Sequence, residues 1–124
     1  MGKYFAATRR FPNYERVIAL ASAHFYVTPE AIVGPARHHE VAHARHIAMY
    51  VCYHFTKRAS YPTIAHTFGN RDHTTVMTAV EKIRRRMPDD LGLRADVEAL
   101  RGLVLTEPFY ALDDYAPSGA PRIR

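Results

Sequence analysis

The sequence predicts an all-α domain of about six helices. Apolar residues recur at intervals of three and four along most of the chain. Capping residues, prolines and glycines stand where those stretches begin and end. No run shows the strict alternation of a half-buried strand.

The elements follow in order. Asn13 is placed to cap a first helix, with Val17, Ile18, Leu20, Ala21 and Phe25 along one face. Thr28-Pro29-Glu30 supplies a cap, a proline at the first helical position and an acid in the first turn. Gly34-Pro35 ends that short helix. A longer helix is predicted from about Val41 to Thr56, with Ala44, Ile47, Ala48, Val51, Cys52 and Phe55 on its apolar side. Arg58-Ala59-Ser60 reads as a turn, and Ser60 as the cap of a short helix from Tyr61 to Phe68 that tolerates Pro62 in its first turn. Gly69-Asn70 breaks the chain, because both residues accept positive φ. Asp72 opens a helix to about Met87, and Pro88 ends it. Asp89 or Asp90 opens a last helix to about Leu105, carrying Leu93, Val97, Leu100 and Val104. Ile47, Val51, Phe55, Ile64, Phe68, Val76, Val80 and Ile83 are expected in the core. Residues 1–12 are expected to form an N-terminal arm, 13–105 the domain, and 106–124 a flexible tail interrupted by Pro108, Pro117, Gly119 and Pro121.

Composition narrows the function classes. With 124 residues, 48% hydrophobic and 23% charged, the chain is long enough and apolar enough to bury a core without disulfides. Its one cysteine, Cys52, fits a reducing compartment, so a cytoplasmic location is expected. No apolar run reaches a membrane span, and MGKYFAATRR lacks the apolar stretch of a secretory signal. Neither GxxxxGK[ST] nor GxGxxG occurs, so neither a nucleotide nor another cofactor is expected. The net charge of +5 is uneven: residues 36–87 hold nine basic side chains against three acidic, whereas 88–124 hold four basic against seven acidic. A basic middle points to a polyanion partner such as nucleic acid. The acidic end offers a surface for a protein partner, or a segment that folds over the basic face.

The pattern Tyr61–Phe68, Gly69-Asn70-Arg71, then Asp72–Met87 outlines a helix-turn-helix. Such a motif lays the first turns of its second helix in the major groove, where Arg71, Asp72, His73, Thr74 and Thr75 would stand. Each also has a plainer reading. Asp72 is a good N-cap on propensity alone, Thr74 and Thr75 suit any surface, and Lys82 to Arg86 suits a solvated face balanced by Glu81.

The letters are more specific than the outline. Ala44-Arg45-His46-Ile47-Ala48-Met49-Tyr50, Ser60-Tyr61-Pro62-Thr63-Ile64-Ala65 and Phe68-Gly69-Asn70-Arg71-Asp72-His73-Thr74-Thr75-Val76 resemble, over roughly residues 13–105, the C-terminal DNA-binding domain of the bacterial replication initiator DnaA. The resemblance implies a fold of the kind shared by that domain and the Trp repressor, and duplex DNA as the partner. It implies that Asp72 accepts a hydrogen bond from a cytosine amino group, that His73 and Thr74 touch thymine methyls, and that Arg37 enters the minor groove. It further implies phosphate or backbone contacts from Arg45, His46, Pro62, Thr75 and Lys82, and a phosphate or orienting role for Arg71. Because so little chain precedes the domain, a reading head without the initiator's ATPase module is expected.

This chain departs from the family pattern in the loop Gly34-Pro35-Ala36-Arg37-His38-His39-Glu40, which is usually arginine-rich. It also has His46 where glutamine is usual, His43 where arginine is common, and Asn70 for glycine. Histidines in place of permanent charges imply that DNA affinity rises as pH falls from about 7.5 to 6.

A competing pattern is present. His39-Glu40-Val41-Ala42-His43 matches H-E-x-x-H, in which His39 and His43 would share a helix face, with His46 a turn on and Glu40 as general base. The absence of a distant third ligand and of a cleft-forming sheet argues against an enzyme, and no metal is expected.

Overall fold

The structure, a computed structural model, describes residues 12–106. Six α-helices run in order: α1 (Pro12–Phe25), α2 (Pro29–Val33), α3 (His39–Phe55), α4 (Tyr61–Thr67), α5 (His73–Arg86) and α6 (Leu91–Thr106), with a 3₁₀ turn over Met87–Asp89. There is no strand among the described residues. The expected arm and tail lie outside them, except that Pro12 heads α1 and Thr106 ends α6.

Local chemistry sets most boundaries. The Thr28 hydroxyl accepts from Ala31 N at 3.0 Å, and the Ser60 hydroxyl from Thr63 N at 3.2 Å. Asp72 Oδ1 accepts from Thr74 N, and Asp90 Oδ1 from Leu93 N, each at 3.0 Å. Each cap satisfies one of the N–H groups that a helix start leaves unpaired. Two boundaries differ from expectation. Asn13 sits inside the first turn of α1, because Pro12 takes the early position where a missing N–H costs nothing. And α3 begins at His39 rather than near Val41, behind an extended His38 that makes no side-chain cap bond.

α3 is the axis of the fold and touches all five other helices. Its residues 44, 45 and 47–52 are all buried, so its middle is enclosed on nearly every side, His46 excepted. Ala44, Ala48 and Cys52 recur every four residues and keep one ridge narrow, which permits close helix approach. Around α3 pack Tyr14, Val17, Ile18 and Ala21 of α1, Val76, Ala79, Val80 and Ile83 of α5, and Leu93, Val97, Leu100 and Val104 of α6. Every core residue expected from the sequence is buried except Phe55, which is half-buried at the rim. Tyr14 stitches α1 to α4: its hydroxyl lies 2.7 Å from Thr63 Oγ1 and accepts from Ser60 N at 3.3 Å.

The α4–α5 turn positions the site. Phe68 is fully buried and anchors it. Gly69 (φ 88°) and Asn70 (φ 57°) follow, both left-handed, as their side chains permit. A Cβ on Gly69 would lie 2.3 Å from the Val33 carbonyl oxygen, so the end of α2 presses directly on the turn.

Candidate nucleic-acid interface

α4, the turn and α5 form the helix-turn-helix, and the start of α5 is bare. Asp72, His73, Thr74 and Thr75 are all exposed, while Val76, the next residue, is fully buried. No packing demand explains four polar residues in that place. Asp72 Oδ1 accepts both from Thr74 N and from Thr74 Oγ1, each at 3.0 Å. The backbone bond first, and then the hydroxyl, hold its carboxyl below the usual range, so it is ionised at neutral pH. The capping role is thus present in the geometry. It uses one carboxylate oxygen, and Oδ2 lies outside both bonds, so capping and base contact are compatible.

Two adjoining cavities run along this face. One, of about 480 Å³, is lined in part by Arg37, Arg45, His46, Arg71 and Thr75. The other, of about 260 Å³, is lined by His46, Thr74, Thr75, Thr78, Ala79 and Lys82. His46 and Thr75 belong to both. Seven of the ten expected DNA-contact residues therefore line one continuous face that joins the α2–α3 loop to α5. The other three are exposed: Asp72 and His73 at the head of α5, and Pro62 in the first turn of α4, outside both cavities. Thr78 was not anticipated. It stands four residues after Thr74 on the same helix face, a spacing that could have found it.

Arg45 makes contacts that the sequence did not signal, and Arg71 makes contacts of the same kind. Arg45 is 5% exposed and donates from Nε to Ile32 O at 2.6 Å. Its Nη2 donates to the carbonyls of Ala31, Gly34 and Ala36 at 2.9, 3.0 and 2.8 Å. Only Nη1 stands outside these bonds, so the expected phosphate contact narrows to that nitrogen. Arg71 donates from Nη1 to Val33 O at 3.1 Å and to Phe68 O, and from Nη2 to Gly34 O at 2.7 Å. These bonds hold the guanidinium against the loop after α2 and against the α4–α5 turn. Burial lowers the pKa of both guanidiniums, and in Arg45 the nearby Arg71 charge adds to it.

The basic run at the end of α5 divides. Arg84 pairs with Glu81, Arg85 Nε lies 3.7 Å from Glu81 Oε2, and Arg86 Nη2 lies 3.2 Å from Asp90 Oδ2. These three form the solvated, balanced face that the plainer reading described. Lys82 makes no ion pair among the described residues and faces the smaller cavity.

His46 departs from an ordinary imidazole. Burial first, and then the charges of Lys82 and Arg45, push its pKa down to about 4. It is a neutral imidazole throughout the range from pH 7.5 to 6.

Among the described residues the H-E-x-x-H stretch does not gather a set of metal ligands. The His39 and His43 rings stack at 6.2 Å between centroids, 14° from parallel. His43 Nε2 lies 3.8 Å from Asp96 Oδ2 on α6, and Asp96 Oδ1 lies 2.9 Å from His24 Nε2 on α1. His46 lines the basic face instead. Among the described residues no three His, Cys, Asp or Glu side chains converge to hold a metal ion. The spacing was local, and the partner that occupies His43 lies 53 residues further on.

Comparison with known proteins agrees with this geometry. A family model described as the bacterial DnaA helix-turn-helix matches residues 14–83. The chain is similar to the chromosomal replication initiator protein DnaA of Cereibacter sphaeroides, at 36% identity over 98 residues, 79% of this chain and 21% of that protein. It is similar to the same protein of Ruegeria sp. (strain TM1040), at 38% over 95 residues, 77% of this chain and 20% of that one. The corresponding protein of Thermus thermophilus is 38% identical over 85 residues, 68% of this chain and 19% of that one. The chain spans about a fifth of the length of these relatives. No helix among the described residues is long and apolar enough to cross a membrane.

Proposed function

The chain belongs to the bacterial DnaA helix-turn-helix family, and from that premise we propose that it binds duplex DNA sequence-specifically at DnaA-box-like sites. The observation that carries the proposal is the bare head of α5: an ionised Asp72 with one carboxylate oxygen outside its cap, followed by exposed His73, Thr74 and Thr75. A carboxylate at that place matches the exocyclic amino group of cytosine, and a threonine methyl matches that of thymine. Arg37 is the residue that enters the minor groove in this reading, supported by its exposure on the loop that lines the larger cavity. Thr75, Lys82, the neutral ring of His46 and Arg45 Nη1 face the sugar–phosphate backbone, and Pro62 marks its approach to α4.

In this reading the protein acts in the cytoplasm, on the nucleoid, in the control of replication initiation or transcription. It does so through occupancy of its sites. A protein partner at the acidic C-terminal region is part of the same reading; residues 107–124 lie outside the described ones.

The test is an equilibrium titration of the full chain against a duplex holding a DnaA box and a scrambled duplex of equal composition, at one stated salt concentration. The expected result is a preference for the box of about a hundredfold or more. Equal binding to both duplexes would refute sequence-specific reading, and binding to neither would refute the DNA partner.

A further inference from the structure

Two cationic side chains with no carboxylate partner converge on one short loop. Among the described residues neither Arg45 nor Arg71 forms an ion pair. Instead, six of their seven hydrogen bonds end on carbonyl oxygens of residues 31–36, the end of α2 and the loop that follows. The seventh, from Arg71, ends on Phe68 O, in the turn that opens into α5. α2 has only five residues, so most of its carbonyls have no partner within the helix, and the guanidiniums fill that role. Gly34 O accepts from both arginines. Arg37 stands three residues beyond it, exposed, on the rim of the same cavity.

Setting a half-buried Arg71 beside a buried Arg45 is costly, and stability alone does not require it: apolar residues of similar volume commonly serve as well. What two arginine forks supply is geometry, because each planar guanidinium fixes several acceptors at once. Arg71 bonds to the loop at Val33 and Gly34 and to the α4–α5 turn at Phe68 with one rigid group, two residues before the first residue of α5.

We propose that Arg71, seconded by Arg45, is a positioning residue that locks the Arg37 loop to the head of α5, so that the minor and major grooves are read as one unit. This rests on the DNA-reading function proposed above. Loosening the clamp then removes what Arg37 contributes while leaving what Asp72 contributes. A residue that merely stabilises the fold would weaken both kinds of reading together, or neither.

The experiment uses the full chain and a DnaA-box duplex in which each adenine in turn is replaced by 2,6-diaminopurine. That base adds an amino group in the minor groove and leaves the major-groove edge of the A·T pair unchanged. A parallel series replaces each C·G pair by T·A. Wild type is expected to lose about fivefold or more in affinity at one or more diaminopurine positions, and Arg37→Ala to lose that sensitivity. Arg71→Lys, folded by circular dichroism, is expected to lose it equally while keeping the wild-type response to the C·G series. The double variant Arg37→Ala/Arg71→Lys is expected to bind within about twofold of Arg37→Ala, the non-additivity of two residues acting through one contact. Arg45→Lys, which loosens the loop without touching the turn, provides a second route to the same result.

Wild-type diaminopurine sensitivity in folded Arg71→Lys, or additive losses in the double variant, would overturn the coupling while leaving the DNA-reading function intact. Loss of fold in both lysine variants would assign the pair to stability and also overturn it. A wild type with no preference for the box would overturn the function itself, and one with a preference but no diaminopurine sensitivity would remove Arg37 from the minor groove and the coupling with it.

Discussion

Gly69→Ala tests how tightly the turn and the α2–α3 loop are joined, and its cost can be worked from the structure. At φ 88° an alanine carries a left-handed penalty of about 1–2 kcal/mol. Its Cβ would lie 2.3 Å from Val33 O and 3.3 Å from Arg71 Nη1, so the carbonyl must move. That carbonyl accepts from Arg71 Nη1 at 3.1 Å, and weakening a hydrogen bond to a charged donor costs about 1.5–3 kcal/mol. Together the loss is about 3 kcal/mol, which for a domain of this size lowers the thermal midpoint by roughly 10–25 °C. Thermal unfolding followed by circular dichroism reads it. Gly102→Ala is the control, because nothing lies within 4 Å of the added Cβ on that helical glycine. It is expected to raise stability by about 0.5–1 kcal/mol through helix propensity. A Gly69→Ala midpoint within about 2 °C of wild type would refute the claimed contact between turn and loop.

Other outcomes follow from the electrostatics. The pKa values of His43, His46 and His54 are all lowered in the folded state, chiefly by burial. Below about pH 6.5 the unfolded chain therefore binds protons that the folded chain does not, and stability falls as pH drops towards 4. For His46, with a folded value of about 4, the loss between pH 7 and pH 5 is about 1 kcal/mol after allowance for solvent screening. Urea unfolding at pH 7, 6 and 5 reads it; His46→Gln should flatten the profile, and an unchanged profile in that variant would be the contrary result. Lys82→Gln should weaken box and scrambled binding alike and make the slope of log affinity against log salt shallower by about 1. A changed box preference with an unchanged slope would place Lys82 on a base instead.

The helix-turn-helix was legible because its signals are local. Ser60 and Asp72 cap, Gly69 and Asn70 turn left-handed, and Phe68, Val76 and Val80 carry the 3.6-residue period into the core. What was not legible depends on partners far along the chain or without side-chain identity. Arg45 binds four carbonyls, and a carbonyl leaves no letter in the sequence to mark it as an acceptor. His39 and His43 have the spacing of a metal pair, but the carboxylate nearest His43 is Asp96, brought in by α6 and hydrogen-bonded to His24. His46 reads as a titrating group from its type and as a neutral one from its burial beside Lys82. In each case what settled the chemistry was what packed against the residue.

The central claim is that the head of α5 reads a base through Asp72, and a coupling measurement tests it most directly. Asp72→Ser keeps an N-cap oxygen for Thr74 N, since serine and aspartate cap about equally well, and removes the second carboxylate oxygen. Each C·G pair of the box is replaced in turn by T·A, and both proteins are titrated against every duplex at one salt concentration. The account predicts one pair whose replacement costs wild type about ten- to a hundredfold in affinity and costs Asp72→Ser almost nothing, with the variant's thermal midpoint within about 3 °C of wild type. If the replacement costs are the same for both proteins at every position, Asp72 is a helix cap alone and the account is wrong.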